Sequence, residues 1–511
     1  MSVEYIWSDK KWHSEGSGLQ WIGNGTCAEL TFENIEIRIH DLYGSFALVL
    51  ENEQELLLAV DLISSYPLFY GSVNDTIYIS DDGSLIAEKL DAGLSEDNIL
   101  EFLKTSYVTE TETLFRNVYT LNPGTIVRIN KQKGSVEEKH WFNLDYKQSS
   151  EKPVGQLTSE FDSCLQNVFK DLINRLAGKT ALIPLSGGCD SRTVAVYLKK
   201  LNYQNVVCFS YGRKDSWEAE RSKKIAEYLG FPWYFTEYNA ESWRSLFSSK
   251  DYELFLRFSC RGRSIGCLQA LPAVLNIRNQ GVVPDDSVVV PGHTLDVTMG
   301  SHLSEGMNHW KKKKLIDKIL ADHYCLRDSQ IENGSIEKWT QLIPAEITGY
   351  EIINLYMNWE YRNRQAKFIA NDVRAYEYAG YDYELPFWDK RVQQFVMDLP
   401  YELLSQRKFQ YLFTKQVVDP IAGIDLDYPV ASSFTANVKQ MIKKLPFAKD
   451  VVRHFRKTNQ KDSDVNAAFS WLTDEEYKRL QSKMGTRFNI NSIEADDYIK
   501  LLKRSFSVKD F

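Results

Sequence analysis

In the first third of the chain the apolar positions come in short runs. Residues 46–50 (FALVL), 56–60 (LLLAV), 77–80 (IYIS) and 125–129 (TIVRI) are separated by Glu51-Asn52-Glu53, Tyr66-Pro67, Asn74-Asp75, Asp81-Asp82-Gly83 and Asn122-Pro123-Gly124. Brief β-rich runs bounded by Asn, Asp, Pro and Gly predict strands joined by tight turns, so this third is expected to be mostly β. A polar stretch at 147–153 reads as a linker. Beyond it the period changes. Residues 156–176 repeat their apolar positions at helical spacing, and 181–185 (ALIPL) form a continuous apolar strand that leads into a helix. Residues 206–211 are a second strand, and 216–229 a second helix closed by Gly230 and Pro232. Strands alternating with helices predict an α/β fold built on a doubly wound parallel sheet. From about 344 the chain is largely helical and rich in aromatics. The pattern divides the chain into a β-rich domain at 1–146 and an α/β domain at 154–511.

Composition narrows the class. With 511 residues, 43% hydrophobic and 25% charged, the chain can bury two or more sizeable cores. Its net charge of −8 argues against a nucleic-acid partner, which calls for a basic balance or a basic face. The dense basic run Lys311-Lys312-Lys313-Lys314 opens a helical stretch and reads as a solvated helix end. Seven cysteines, with no C-x-x-C pair, point to a reduced, cytoplasmic setting. The first residues lack a signal-like apolar core, and no run reaches the ~18 apolar residues of a membrane helix.

The chemistry concentrates in Ser186-Gly187-Gly188-Cys189-Asp190-Ser191, between the strand at 181–185 and its helix. Glycines there let backbone N–H groups close on anionic oxygens, and a helix N-terminus adds positive potential. Ser186 and Ser191 supply hydroxyls, and Asp190 offers a hard oxygen to Mg²⁺. The nearby Ala177-Gly178-Lys179-Thr180 looks like the end of a Walker A loop, but it precedes its strand and has Ile173 where the first glycine belongs.

Together with further strings, this loop resembles the asparagine synthetase and β-lactam synthetase group of PP-loop ATP pyrophosphatases, which also includes lasso-peptide cyclases. Gly44-Ser45-Phe46-Ala47, Pro67-Leu68-Phe69-Tyr70 and Leu121-Asn122-Pro123-Gly124 look like the family's Ntn-type glutaminase domain. Pro291-Gly292-His293-Thr294-Leu295-Asp296 stands where asparagine synthetases carry an SGEGADE-like string, and Pro386-Phe387-Trp388-Asp389 matches their PFLD. The resemblance implies that ATP adenylates a substrate carboxylate, pyrophosphate leaves, and an amine attacks to form an amide. Ser186, Gly187, Gly188, Asp190, Ser191 and Gly292 would then bind ATP, and Asp190 with Asp296 would hold Mg²⁺.

Departures from the family pattern refine this. Residue 2 is Ser2, not the nucleophilic cysteine of glutamine-using members, and the glutamine-holding motifs are missing, so the first domain is expected to be a remnant without glutaminase activity. The amine would be ammonia or a group on the substrate itself. His293 replaces a glutamate or tyrosine and is expected to act as a base beside Asp382 or, alternatively, Glu384; its bland alternative is a hydrogen bond within the loop, to His302 or a backbone carbonyl. The family's late lysine is absent from residues 424–434, which leaves Lys408, Lys415 and Lys439 as candidates. Arg257, Arg261 and Arg263 could clamp an anion or lie on the surface. Similar strings occur in synthetase-like proteins of surface-polysaccharide clusters, so the expected substrate is a small carboxylate such as a sugar uronate. Intramolecular peptide cyclisation and a non-catalytic scaffold are the alternatives. Small-molecule or peptide carboxylates are the expected partners, and the oligomeric state is open, a homodimer included.

Overall fold

The computed structural model describes residues 1–9, 11–15, 18–24, 30–147, 151–328, 333–428, 464–485 and 487–506. Cys27, part of the expected linker (148–150), residues 429–434 of the late-lysine region and Lys439 lie outside them.

The first domain is built on two sheets. Six strands, mutually antiparallel, run in the order Val136–His140, Thr125–Asn130, Glu55–Val60, Phe46–Glu51, Leu19–Gly23 and His13–Glu15. Four more run Ser2–Ile6, Thr76–Ser80, Phe69–Val73 and Tyr119–Thr120. Side chains alternate across a strand, and here both faces are covered. Ala47, Val49, Leu56, Leu58 and Val60 pack with Ile77, Ile79, Val127 and Ile129 in one cluster, whereas Phe46, Leu48, Leu50, Leu57 and Ala59 join the main core. Burial on both sides explains why these strands read as continuous apolar runs.

The second domain carries a five-stranded, wholly parallel sheet. Its strands lie in the order Trp233–Glu237, Val206–Gly212, Ala181–Pro184, Val288–Val289, Asp382–Tyr383. The winding direction reverses between Ala181–Pro184 and Val288–Val289, and ligands of open α/β sheets bind beyond the carboxyl ends of the strands at such a reversal. The helix Val154–Leu176 buries Leu157, Phe161, Leu165, Val168, Phe169, Leu172 and Leu176 at helical spacing. It ends with Ala177 and Gly178 at positive φ, and Lys179 N–H bonds back to the Leu176 carbonyl. The Walker-like string is therefore a helix C-terminus.

Buried arginines join the domains. Arg261 donates to the Asp81 carbonyl at 3.0 Å, Arg263 to Ser64 Oγ at 3.2 Å, and Arg374 to the Ser65 carbonyl at 2.5 Å. Arg257 pairs with Glu253 on the surface at 3.1 Å. The Arg257, Arg261 and Arg263 grouping is thus no anion clamp: two members brace the domain interface and the third faces solvent. Of the C-terminal aromatics, Tyr356, Trp359, Tyr361, Tyr381 and Tyr383 are core, and Tyr376 reaches a cavity described below. Among the described residues no helix is long and apolar enough to cross a membrane.

Candidate functional site

At the sheet reversal, strand Ala181–Pro184 ends in the sequence-predicted loop. Leu185 N–H still bonds to the Phe209 carbonyl, and the chain then turns through residues 186–188 into the helix Cys189–Lys200. Ser191 Oγ accepts the Ser186 N–H at 3.0 Å, and Ser186 Oγ accepts the Gly188 N–H at 3.1 Å, so the two serines hold the turn closed from within. Gly188 is the N-cap and no side chain caps the first turn, which leaves amide donors and the positive helix end facing the opening. Gly187 lies under an aromatic: a Cβ there would sit 2.7 Å from the Trp217 ring. Cys189 is half-buried, and burial pushes its thiol pKa up, so it is no ready nucleophile.

The facing wall comes from the neighbouring strand. Val290 N–H bonds to the Leu182 carbonyl, and residues 291–294 then cross the mouth of the sheet. A Cβ on Gly292 would stand 2.5 Å from Ser191 N and 2.7 Å from Asp190 C, so only glycine lets this segment lie on the loop backbone. That approach aligns the acidic pair. Asp190 Oδ2 accepts the Asp296 N–H at 3.1 Å, and Asp190 Oδ1 accepts from Gln410 Nε2 at 2.5 Å. Desolvation, then the charge of Asp296, pushes the Asp190 carboxyl up to about 8. Two carboxylates crowded together fit a hard divalent cation. Among the described residues no group of three or more His, Cys, Asp or Glu is placed to hold a metal. A cation here would draw its remaining ligands from phosphate oxygens and water.

These segments enclose a cavity of about 380 Å³, into which Ser186, Gly188, Asp190, Ser191, Gly292, His293 and Asp296 all open. Tyr376, one of the C-terminal aromatics, opens into it as well, and so do Asp372 and Arg407, which the sequence did not single out. Arg407 Nη1 is 3.8 Å from Asp296 Oδ2, and its Nη2 donates to the Tyr411 hydroxyl. Gln406 and Arg407 both hold positive φ, at 60° and 61°, a conformation that costs energy in non-glycine residues and collects at functional sites. The lysine candidates lie elsewhere: Lys415 pairs with Asp425 at 2.5 Å, and Lys408 does not line the cavity.

His293 has a carboxylate beside it, but neither of those expected. Its Nε2 lies 3.2 Å from Asp372 Oδ2, while His293 Nδ1 and Asp372 Oδ1 are buried without a hydrogen-bond partner among the described residues. Asp382 sits on the edge strand with more than half of its side chain exposed, and it pairs with Lys11 at 2.8 Å. Glu384 is buried at the domain interface, where Arg175 at 3.0 Å neutralises it and Asn24 Nδ2 donates to it at 2.6 Å. The pairings of His293 with Asp382 and with Glu384 are corrected accordingly. Asp372 enters instead from the turn Ala370–Val373, which follows a ten-residue π-helix, Glu360–Ile369. Counting back from Pro386 lands on the edge strand Asp382–Tyr383, which does not line the cavity, whereas Asp372 comes from an earlier segment that such a count never reaches. His302 is not beside His293 either; its Nδ1 meets Glu360 Oε1 at 2.7 Å. Ser2 lies in an outer strand, its N–H bonded to the Asp75 carbonyl.

Two parts of the chain match models of known protein families. Residues 32–142 match the model of the glutamine amidotransferase domain, and residues 180–247 match that of the queuosine biosynthesis protein QueC. The chain is 25% identical over 196 residues to asparagine synthetase [glutamine-hydrolyzing] 1 of Bacillus subtilis (strain 168), covering 37% of this chain and 30% of that protein. It is 26% identical over 165 residues to the microcin J25-processing protein McjC of Escherichia coli, covering 32% of this chain and 30% of that protein. The matches thus span about a third of the length of these relatives. A solved structure of glutamine phosphoribosylpyrophosphate amidotransferase from B. subtilis, complexed with ADP and GMP, aligns over 66% of this chain and 76% of its own. At 12% identity and a TM-score of 0.17 that likeness carries no argument. An amidotransferase-like domain followed by a PP-loop-like domain, similar to asparagine synthetase and to McjC, is what these matches show.

Proposed function

We propose that this protein is an ATP-dependent carbon–nitrogen ligase that adenylates a carboxylate and passes the acyl group to an amine. The observation that carries the reading is the convergence of Asp190 and Asp296 with the serine-glycine loop and Arg407 on one cavity. A carboxylate becomes a competent electrophile only when its oxygen leaves easily. Its attack on the α-phosphorus of ATP breaks the bond to the β-phosphate, and the charge that must be stabilised then gathers on pyrophosphate. The open amides at the start of Cys189–Lys200, with Ser186 and Ser191, are placed to bind those oxygens. Mg²⁺ held by Asp190 and Asp296 would supply charge neutralisation at the same oxygens. Arg407 takes the part for which the sequence offered only lysines, since its guanidinium is always charged and hydrogen-bonds phosphate in two directions.

The second step needs a proton acceptor. As the amine nitrogen attacks the acyl carbon and AMP departs, the nitrogen must shed a proton. His293 Nδ1, buried without a hydrogen-bond partner among the described residues, would accept it, and Asp372 beside Nε2 would stabilise the imidazolium. A small carboxylate such as a sugar uronate, attacked by free ammonia, is the favoured substrate. The similarity to McjC supports a second reading, in which the amine and the carboxylate belong to one peptide. Added ammonia separates them, because amidation requires it and cyclisation does not.

A thermal melt tests the nucleotide site directly. Mg-ATP at a hundredfold excess over Kd is predicted to stabilise the protein by about 2.7 kcal/mol, and Asp190→Ala or Asp296→Ala to abolish the shift. An equal shift in both variants would contradict the assignment.

A further inference from the structure

Behind the ATP cavity lies a second, larger one of about 550 Å³ that the adenylation chemistry does not use. The two share their walls. Gln406 lines the second cavity and Arg407 the first, and Ser301, which opens into the second, donates its N–H to the carbonyl of Asp296. The π-helix Glu360–Ile369 spans both: Arg364 faces the second cavity, while Ile369 opens into the first. Since π-helical bonding runs from residue i to i+5, these two residues sit roughly one turn apart.

The charges of this cavity are unevenly committed. Lys318 is satisfied by Asp322 at 2.7 Å. Glu360, wholly buried and in contact with the two lining histidines, has His302 Nδ1 at 2.7 Å and His323 Nε2 at 2.8 Å, with the Tyr356 hydroxyl donating at 3.1 Å. Burial alone would raise the Glu360 carboxyl, but the two histidines outweigh it and hold the group well below the ordinary carboxylate range. That carboxylate is therefore already balanced. Arg364 has no hydrogen bond or ion pair among the described residues, only a loose contact over the Phe368 ring at 6.0 Å. Among the described residues the exposed Arg487 bonds only to the Ala321 carbonyl, at 2.7 Å. Against these two guanidiniums the lining sets one carboxylate without a cation, the exposed Glu305.

Resting on the ligase reading, we infer that this cavity receives a second anionic group of the substrate, held by Arg364 and Arg487 while the carboxylate to be activated enters the adjoining ATP cavity. The chemistry that two guanidiniums without a carboxylate partner among the described residues recognise is a planar or tetrahedral oxyanion, a carboxylate or a phosphate, by two-point hydrogen bonding. The substrate class is thus a molecule with two anionic ends. The cavity's volume leaves room for a sugar-sized or short-peptide body between them.

The test is calorimetric titration of the full chain with inorganic phosphate and, separately, with succinate, in the presence of saturating Mg-ATP so that the loop amides are occupied. Wild type is expected to bind at least one of the two, and the tighter probe tells phosphate from carboxylate. Because hydrogen bonds to charged groups are worth ~1.5–3 kcal/mol, Arg364→Gln and Arg487→Gln should each weaken that probe about tenfold or more. Arg364→Lys should recover part of the loss. An unchanged Mg-ATP melting shift in each variant shows that the fold is intact. Equal binding in wild type and both Gln variants, or no binding of either probe to wild type, would overturn the inference. Failure of Mg-ATP to bind wild type would instead strike the ligase reading, since that shift does not depend on these arginines.

Discussion

At the scale of single residues the site is governed by a carboxylate that is hard to ionise. Desolvation, then the charge of Asp296, pushes the Asp190 carboxyl up to about 8 in the folded protein from an ordinary value of 3.8. The unfolded chain therefore releases this proton first, and between about pH 4 and pH 8 the native state binds more protons than the unfolded one. Without nucleotide, this group makes stability fall as pH rises through that window. Asp190→Asn cannot ionise, so its melting temperature should exceed that of wild type by a margin that widens from pH 5 to pH 8. A constant margin would show that Asp190 titrates normally. Cation binding needs the deprotonated carboxylate, so Mg-ATP affinity of wild type should rise with pH up to about 8 and then level. A second residue-scale prediction separates the two chemical steps. His293→Ala should release pyrophosphate and accumulate acyl-adenylate while amide formation falls by about 10²–10⁴-fold, the span of general-base catalysis; rapid-quench product analysis would show it. Asp372→Asn should shift the pH profile of amide formation without touching adenylation.

Much at this scale was legible in the sequence. The loop 186–191 announces itself because its chemistry is contiguous, with strand, glycines, hydroxyls and acid in one stretch. Asp372 and Arg407 were not legible, because each reaches the cavity from a distant segment with no local signature. The π-helix before Asp372 and the two positive-φ residues at 406–407 are backbone events that periodicity does not report.

At the scale of elements, the decisive contact is a segment lying directly on a loop. Gly292 brings residues 291–294 against the Asp190–Ser191 backbone, with no room for a methyl group. Gly292→Ala must therefore displace either the loop or the segment carrying His293 and Asp296. Overpacking of this kind typically costs about 1–3 kcal/mol. The predicted signature is a modest loss in thermal stability together with loss of the Mg-ATP shift, and retention of that shift would show that the two segments move independently. Strands Ala181–Pro184 and Val206–Gly212 were readable as apolar runs, and so was the helix Val154–Leu176, which begins two residues before its predicted start. Strands Val288–Val289 and Asp382–Tyr383 were not read, being two residues each and held in the sheet by their neighbours' hydrogen bonds.

At the scale of the whole molecule, the two domains divide the work. The first supplies two packed sheets and a surface against which Arg261, Arg263 and Arg374 anchor the second. The second holds the cavity at the point where its parallel sheet reverses direction. Ser2 is tied into an outer strand of the first domain, its N–H bonded to the Asp75 carbonyl. The central claim is that ATP is opened between its α and β phosphates to activate a carboxylate. The most direct measurement is the nucleotide product formed from Mg-ATP, resolved by ion-exchange chromatography, during incubation with a panel of dianionic carboxylates and ammonia. AMP and pyrophosphate in equal amounts, dependent on both the carboxylate and Asp296, is the predicted result; ADP with phosphate, or the same AMP yield from Asp296→Ala, would contradict it.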